Sequence, residues 1–128
     1  MDKLLNENLP IYMQIMDKIR AAIVSGELAA GAKVASVREL AEDFGVNPNT
    51  MQRALAELER EGLLISERTT GRFVTTDTEI IDQVRKEAAE RIVKEFLQKM
   101  KELGFSKEQI EEFFREIDMN TDGMVEAM

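Results

Sequence analysis

The dipeptide Asn47-Pro48 constrains this chain more than any other feature of it. Asparagine is a favoured helix N-cap, because its side-chain oxygen accepts from a free backbone amide. Proline suits the first helical position, where a missing N–H costs nothing and φ is already helical. A helix is therefore expected from Pro48 to about Glu61, stopped by Gly62. Just upstream, Ser36-Val37-Arg38-Glu39 reads as a capping box, with the serine side chain holding the fourth amide and Glu39 reaching back. The short helix it opens puts Val37, Leu40, Ala41 and Phe44 on one side and ends at Gly45. Two such helices, joined by a turn of three or four residues containing Gly45, form a helix-turn-helix pattern.

The flanks extend that pattern. Ile11, Ile15, Ile19, Ala22 and Ile23 recur at steps of three and four and predict a first helix, ended at Ser25-Gly26. Leu28 to Val34 reads as a short connection. Leu63-Leu64-Ile65 and Phe73-Val74-Thr75 are β-type runs around Ser66 to Arg72, a hairpin with Gly71 near its tip. From about Thr78 to Leu103 a long helix carries the stripe Ile81, Val84, Ala88, Ile92, Val93, Phe96, Leu97, Met100 and Leu103. Gly104 breaks it, and Ser106 with Gln109 caps a further helix bearing Ile110, Phe113, Phe114 and Ile117. Stripes this wide exceed what one helical hairpin covers, so a second copy of the chain is the expected cover. The expectation is a mainly α fold with a small β-hairpin: a winged helix-turn-helix domain over 1–77, then an α-helical hairpin dimerisation region over 78–128.

Composition narrows the chemistry. The 128 residues contain no His and no Cys, which removes the usual zinc sites, the thiol nucleophile and the side chain most used for proton transfer near neutral pH. Carboxylates are plentiful, but no spacing singles out a catalytic pair, so neither an enzyme nor a cofactor is expected. No apolar run is long enough to span a membrane and the N-terminus lacks a secretory layout, making the cytoplasm the expected compartment. The net charge of −8 opposes nonspecific coating of nucleic acid. Residues 1–77 carry 9 basic and 12 acidic groups and 78–128 carry 8 and 13, so any DNA reader here must concentrate its positive charge locally.

The third helix offers such a place. Met51, Ala54, Leu55 and Leu58 follow inward spacing, leaving Asn49, Gln52, Arg53 and Ala56 opposite. Amide side chains match adenine edges in the major groove, and arginine takes guanine or phosphate. Glu57, Glu59, Arg60 and Glu61 lie further along and are expected to point away from a duplex. Arg38 is a candidate backbone contact, and Arg68 and Arg72 bracket Thr69-Thr70-Gly71 at the hairpin tip, a shape suited to a minor groove. Each of these features alone also fits an ordinary solvated face. Their combination in one order favours DNA.

These residues carry a resemblance. Leu9-Pro10-Ile11-Tyr12, Ser36-Val37-Arg38-Glu39-Leu40-Ala41, Gly45-Val46-Asn47-Pro48-Asn49-Thr50, Glu61-Gly62-Leu63 and Gly71-Arg72-Phe73-Val74 resemble, collinearly over about residues 9–77, the GntR family of bacterial regulators. The Val-Asn-Pro-Asn-Thr run and the short helical C-terminal part resemble its YtrA-like branch. The resemblance implies a homodimeric repressor reading an inverted repeat. It places Arg38, Asn49, Thr50, Gln52, Arg53 and the wing around Thr70-Gly71 at DNA-contacting positions, and Asn47, Arg68 and Arg72 complete the set of residues expected to bind DNA. Genes under this branch often encode ABC transporters, and members of the wider family bear larger effector domains, so a small effector is an open partner. Ala29-Ala30 and Val34-Ala35 replace customary prolines, Thr69 replaces a common glycine, and Pro48 and Gln52 stand where larger branches carry arginine, so the operator cannot be borrowed from those branches.

Two alternatives belong beside this reading. The acidic balance also fits a protein-interaction module built on a winged-helix scaffold. Asp118-Met-Asn120-Thr-Asp122-Gly123 matches the start of an EF-hand loop, but the bidentate glutamate at position twelve would fall past Met128. A polar turn after a helix is the expectation there, with no metal site.

Overall fold

Local hydrogen bonds set most of the helix boundaries. The computed structural model describes residues 8–120, with side chains to 118. Helix α1 (Ile11–Val24) starts at Pro10, whose carbonyl accepts from the amides of Met13 and Gln14. Helix α2 (Val37–Phe44) is capped by Ser36, whose Oγ accepts from the Glu39 amide at 3.2 Å. The reciprocal arm of that box differs from expectation: the Glu39 carboxylate accepts from the Ser36 hydroxyl rather than from its backbone amide. Helix α3 (Pro48–Arg60) begins as predicted, with Asn47 Oδ1 accepting from the Asn49 amide at 2.7 Å. The turn between α2 and α3 works because Gly45 takes a left-handed φ of 70°, which a side chain would strain.

The core follows the periodicity. Ile15, Ile19, Met51, Leu55, Leu58, Leu63, Leu64 and Val74 are essentially sealed from solvent, and α1 and α2 both pack on α3. Truncating any one of the large members costs roughly 2–5 kcal/mol. Ile11, expected on the same face, is half exposed because it sits in the first turn, outside the packed region.

The hairpin pairs β1 (Leu64–Glu67) with β2 (Gly71–Val74) antiparallel, in register Leu64↔Val74 through Glu67↔Gly71. Its pairing runs closer to the tip than the apolar runs indicated, since backbone hydrogen bonding continues through polar Ser66, Glu67, Gly71 and Arg72. The segment read as a plain connection is also different. Gly31 donates to Val74, Val74 to Ala32 and Val34 to Arg72, each at 2.9 Å, so residues 31–34 line the free edge of β2 and Lys33 bridges Phe73. The sheet edge is thereby covered.

Helix α4 (Thr78–Glu102) is introduced by Asp77, whose Oδ1 accepts from the Glu79 amide. The chain divides into two compact units between Glu87 and Ala88. In the first, Ile80, Ile81 and Val84 pack on the core, and Arg85 donates through Nε and Nη2 to the Val24 carbonyl at 3.1 and 2.8 Å. In the second, the chain turns at Gly104 into α5 (Lys107–Asn120), and Ser106 and Gln109 form a reciprocal capping box. Phe105 meets Phe113 edge to face at 5.1 Å and Phe96 meets Phe114 at 5.7 Å, joining the two helices into the expected hairpin. Within this unit Ile92, Val93, Phe96, Leu97, Leu103, Phe113, Phe114 and Ile117 remain 36% to 72% exposed. Asp118 belongs to α5, and the rest of the expected turn, from Thr121 to Gly123, lies outside the described residues.

Candidate nucleic-acid interface

The N-terminal half of α3 is an exposed polar surface on a rigid support. Met51, Ala54, Leu55 and Leu58 fix the helix from below, while Asn47, Asn49, Gln52 and Arg53 are exposed and Thr50 is half-buried. The free end of the helix also concentrates amide N–H groups, a favourable environment for an anion. Arg38 is exposed in the first turn of α2.

The carboxylates further along α3 resolve the charge problem. Glu57 pairs with Arg60 at 3.1 Å, Glu59 with Arg72, and Glu61 with Arg20, whose Nε donates to it at 3.0 Å. Burial works against the Arg20 charge, but Glu61 and Asp17 outweigh it and hold the guanidinium more firmly protonated. With these acids neutralised, Lys33, Arg38, Arg53 and Arg68 keep their charge without a carboxylate partner among the described residues. Pairing thus occupies the acids of α3 and leaves those four cations available, and the periodicity of one helix does not reveal pairing between elements.

The wing presents a three-residue tip, Arg68-Thr69-Thr70. Thr70 is tied back by its amide and its hydroxyl to Glu67, each at 3.3 Å, which leaves Arg68 exposed at the end. Gly71 closes the loop at φ 113°, and a Cβ there would stand 3.3 Å from Lys33 Cε. A groove of about 670 Å³ separates this tip from the start of α2, lined by Lys33, Ser36, Val37, Thr70 and Gly71. Lys33 was not among the sequence candidates, since only the pairing of residues 31–34 with β2 brings it to the wing.

Two candidates are engaged inside the molecule. Arg72 is only 20% exposed, and its Nε donates to Glu59, so this wing arginine is held against α3. The Arg53 guanidinium lies over the Tyr12 ring, 3.8 Å from its centroid.

A helix-turn-helix whose α3 helix is amide-rich and exposed over its first turns, followed by a basic wing tip, defines a winged-helix DNA-binding protein. The model of bacterial regulatory proteins of the gntR family matches residues 11–74. The uncharacterized HTH-type transcriptional regulator YhcF of Bacillus subtilis (strain 168) is 40% identical over 110 residues, covering 86% of this chain and 91% of that protein. The HTH-type transcriptional repressor YtrA of the same organism is 41% identical over 66 residues, 52% of this chain and 51% of its own length. The crystal structure of AraR(DBD) in complex with operator ORX1 superposes with a TM-score of 0.51 at 33% identity, over 59% of this chain and 92% of that one. The chain belongs to the GntR family and is a DNA-binding transcriptional regulator, not an enzyme. No helix among the described residues is long and apolar enough to cross a membrane.

Proposed function

We propose that this protein is a cytoplasmic repressor that binds an inverted-repeat operator as a homodimer. The observation that carries this reading is the division of α3: exposed Asn49, Gln52 and Arg53 on its first turns, and carboxylates held by arginines on its last. Asn49 and Gln52 read base edges, Arg53 and Arg38 contact guanine or phosphate, Asn47 and Thr50 contact the DNA backbone beside the start of α3, and Arg68, Thr70 and Gly71 enter the minor groove. Arg72 contributes through its terminal Nη groups while Nε stays with Glu59. Support for a two-fold assembly comes from the apolar surface of the second unit, and two readers one helical turn apart would sit roughly 34 Å from each other on DNA. Repression is supported by the likeness to the repressor YtrA. Resemblance to that branch points to a transporter operon as the target. An effector of this protein would act by binding the two reader spacings unequally, since a ligand that favours neither state shifts nothing.

The test is selection of bound duplexes from a random pool, followed by gel shift across a salt series. A palindromic winner whose affinity falls steeply with salt is expected. The net charge of −8 favours a second reading, a protein-interaction module. Failure to enrich any sequence would overturn the repressor and leave the module.

A further inference from the structure

The geometry points to Tyr12 as a positioning residue for DNA binding, acting through Arg53. This inference rests on the reading of α3 as the DNA-reading helix. The ring of Tyr12, in the first turn of α1, carries the Arg53 guanidinium over its face at 3.8 Å. A guanidinium stacked this way uses only its π-face, and its N–H donors, which lie in the plane of the group, remain directed outward. Among the described residues no carboxylate pairs with Arg53, so nothing competes for those donors.

The platform itself is fixed from below. Pro10 receives the Met13 and Gln14 amides, and the nearly buried Gln14 side chain donates to the Leu9 carbonyl at 2.9 Å. Ile15 and Met16, three and four residues after Tyr12, are core residues, and α1 packs along α3. Tyr12 is therefore held on a rigid turn, and it spares Arg53 much of the rotamer freedom that an unsupported arginine gives up when it grips a phosphate or a base. A side chain on the first helix of the domain thus sets the reach of one on the third.

The experiment uses the full chain and the duplex that wild-type protein selects from a random pool. Tyr12→Leu is expected to weaken binding roughly five- to thirtyfold, because each of two half-sites loses one stack. Tyr12→Phe should bind like wild type. In the double-mutant cycle, Tyr12→Leu should add little to Arg53→Ala. Should Tyr12→Leu not fold, phenylalanines bearing successive ring fluorines at this position keep the shape while draining the π-face, and affinity should fall step by step with fluorine number. Additive effects of the two truncations, or affinity indifferent to fluorination, would overturn the role of Tyr12 while wild-type binding kept the DNA reading intact. If wild type enriches no duplex at all, the reading of α3 falls first and this inference with it.

Discussion

Arg72 and Ser66, directly opposed across the hairpin, both donate to the same Glu59 carboxylate on α3. One side chain of α3 thereby gathers a cross-strand pair and fastens the wing to the helix. Burial disfavours the Glu59 charge, but the hydrogen bonds from Ser66 and Arg72 and the Arg72 charge prevail and hold its carboxyl below the ordinary value.

That depression fixes the sign of a pH effect. A group with a lowered folded pKa contributes stability that is complete above its unfolded value and is lost as acid protonates it in the fold. Glu59→Gln is expected to lower stability at pH 7 by about 1 kcal/mol. The gap to wild type should close as pH falls through the ordinary glutamate value, about 4.3, and below. Denaturant titrations of both proteins at several pH values measure it. A gap that stays constant with pH would show that the carboxylate charge is not what fastens the wing.

Asn49 and Gln52 are exposed, and neither is needed by the core. Gln52→Ala is expected to weaken specific DNA binding by about 1–3 kcal/mol per half-site and to relax sequence choice at one position. Thermal unfolding should be unchanged within about 0.5 kcal/mol. If Asn49→Ala and Gln52→Ala both hold the selected duplex as wild type does, the bases are read elsewhere.

Asn47 makes the complementary case. Its Oδ1 serves the Asn49 amide, so Asn47→Ala removes a cap and should cost about 0.5–2 kcal/mol of stability even without DNA. Asn47→Asp, which keeps an accepting oxygen, should restore most of it. Calorimetry on the three proteins decides; equal melting of alanine and wild type would deny the cap any energetic weight.

The parts legible in the sequence were those specified within a turn or two of chain. Ser36, Asn47-Pro48 and the pair Ser106 and Gln109 announced helix starts because a cap is a contact between residues two or three apart. The inward set Met51, Ala54, Leu55 and Leu58 was legible because helical period and burial coincide. Contacts between distant residues were not. Residues 31–34 show no strand alternation, because they pair along one edge of β2 through backbone alone. The engagement of Arg72 by Glu59 and of Arg53 by Tyr12 depends on how separate elements pack, which charge and period along one segment do not encode. Arg38, Asn49, Gln52 and Arg68 are exposed, which helical period and a place at a hairpin tip already led one to expect, while the part each would play on DNA remains a proposal.

The apolar surface of the second unit gives the last expectation. Ile92 is 65% exposed on α4 and Ile117 54% on α5, although both belong to stripes that otherwise read as buried faces. Water contact at so many large apolar residues is unfavourable for an isolated hairpin, and a second copy removes it at no cost in new sequence. Ile92→Glu and Ile117→Glu place charges where an exposed monomer face would tolerate them and a buried interface would not. Each variant is therefore expected to keep its helical circular dichroism, to sediment as a monomer where wild type sediments as a dimer, and to lose most operator affinity because one half-site alone must hold it. A variant that remains dimeric with full affinity would put the two-fold contact on some other surface. A monomeric variant with undiminished affinity would show instead that each reader works alone.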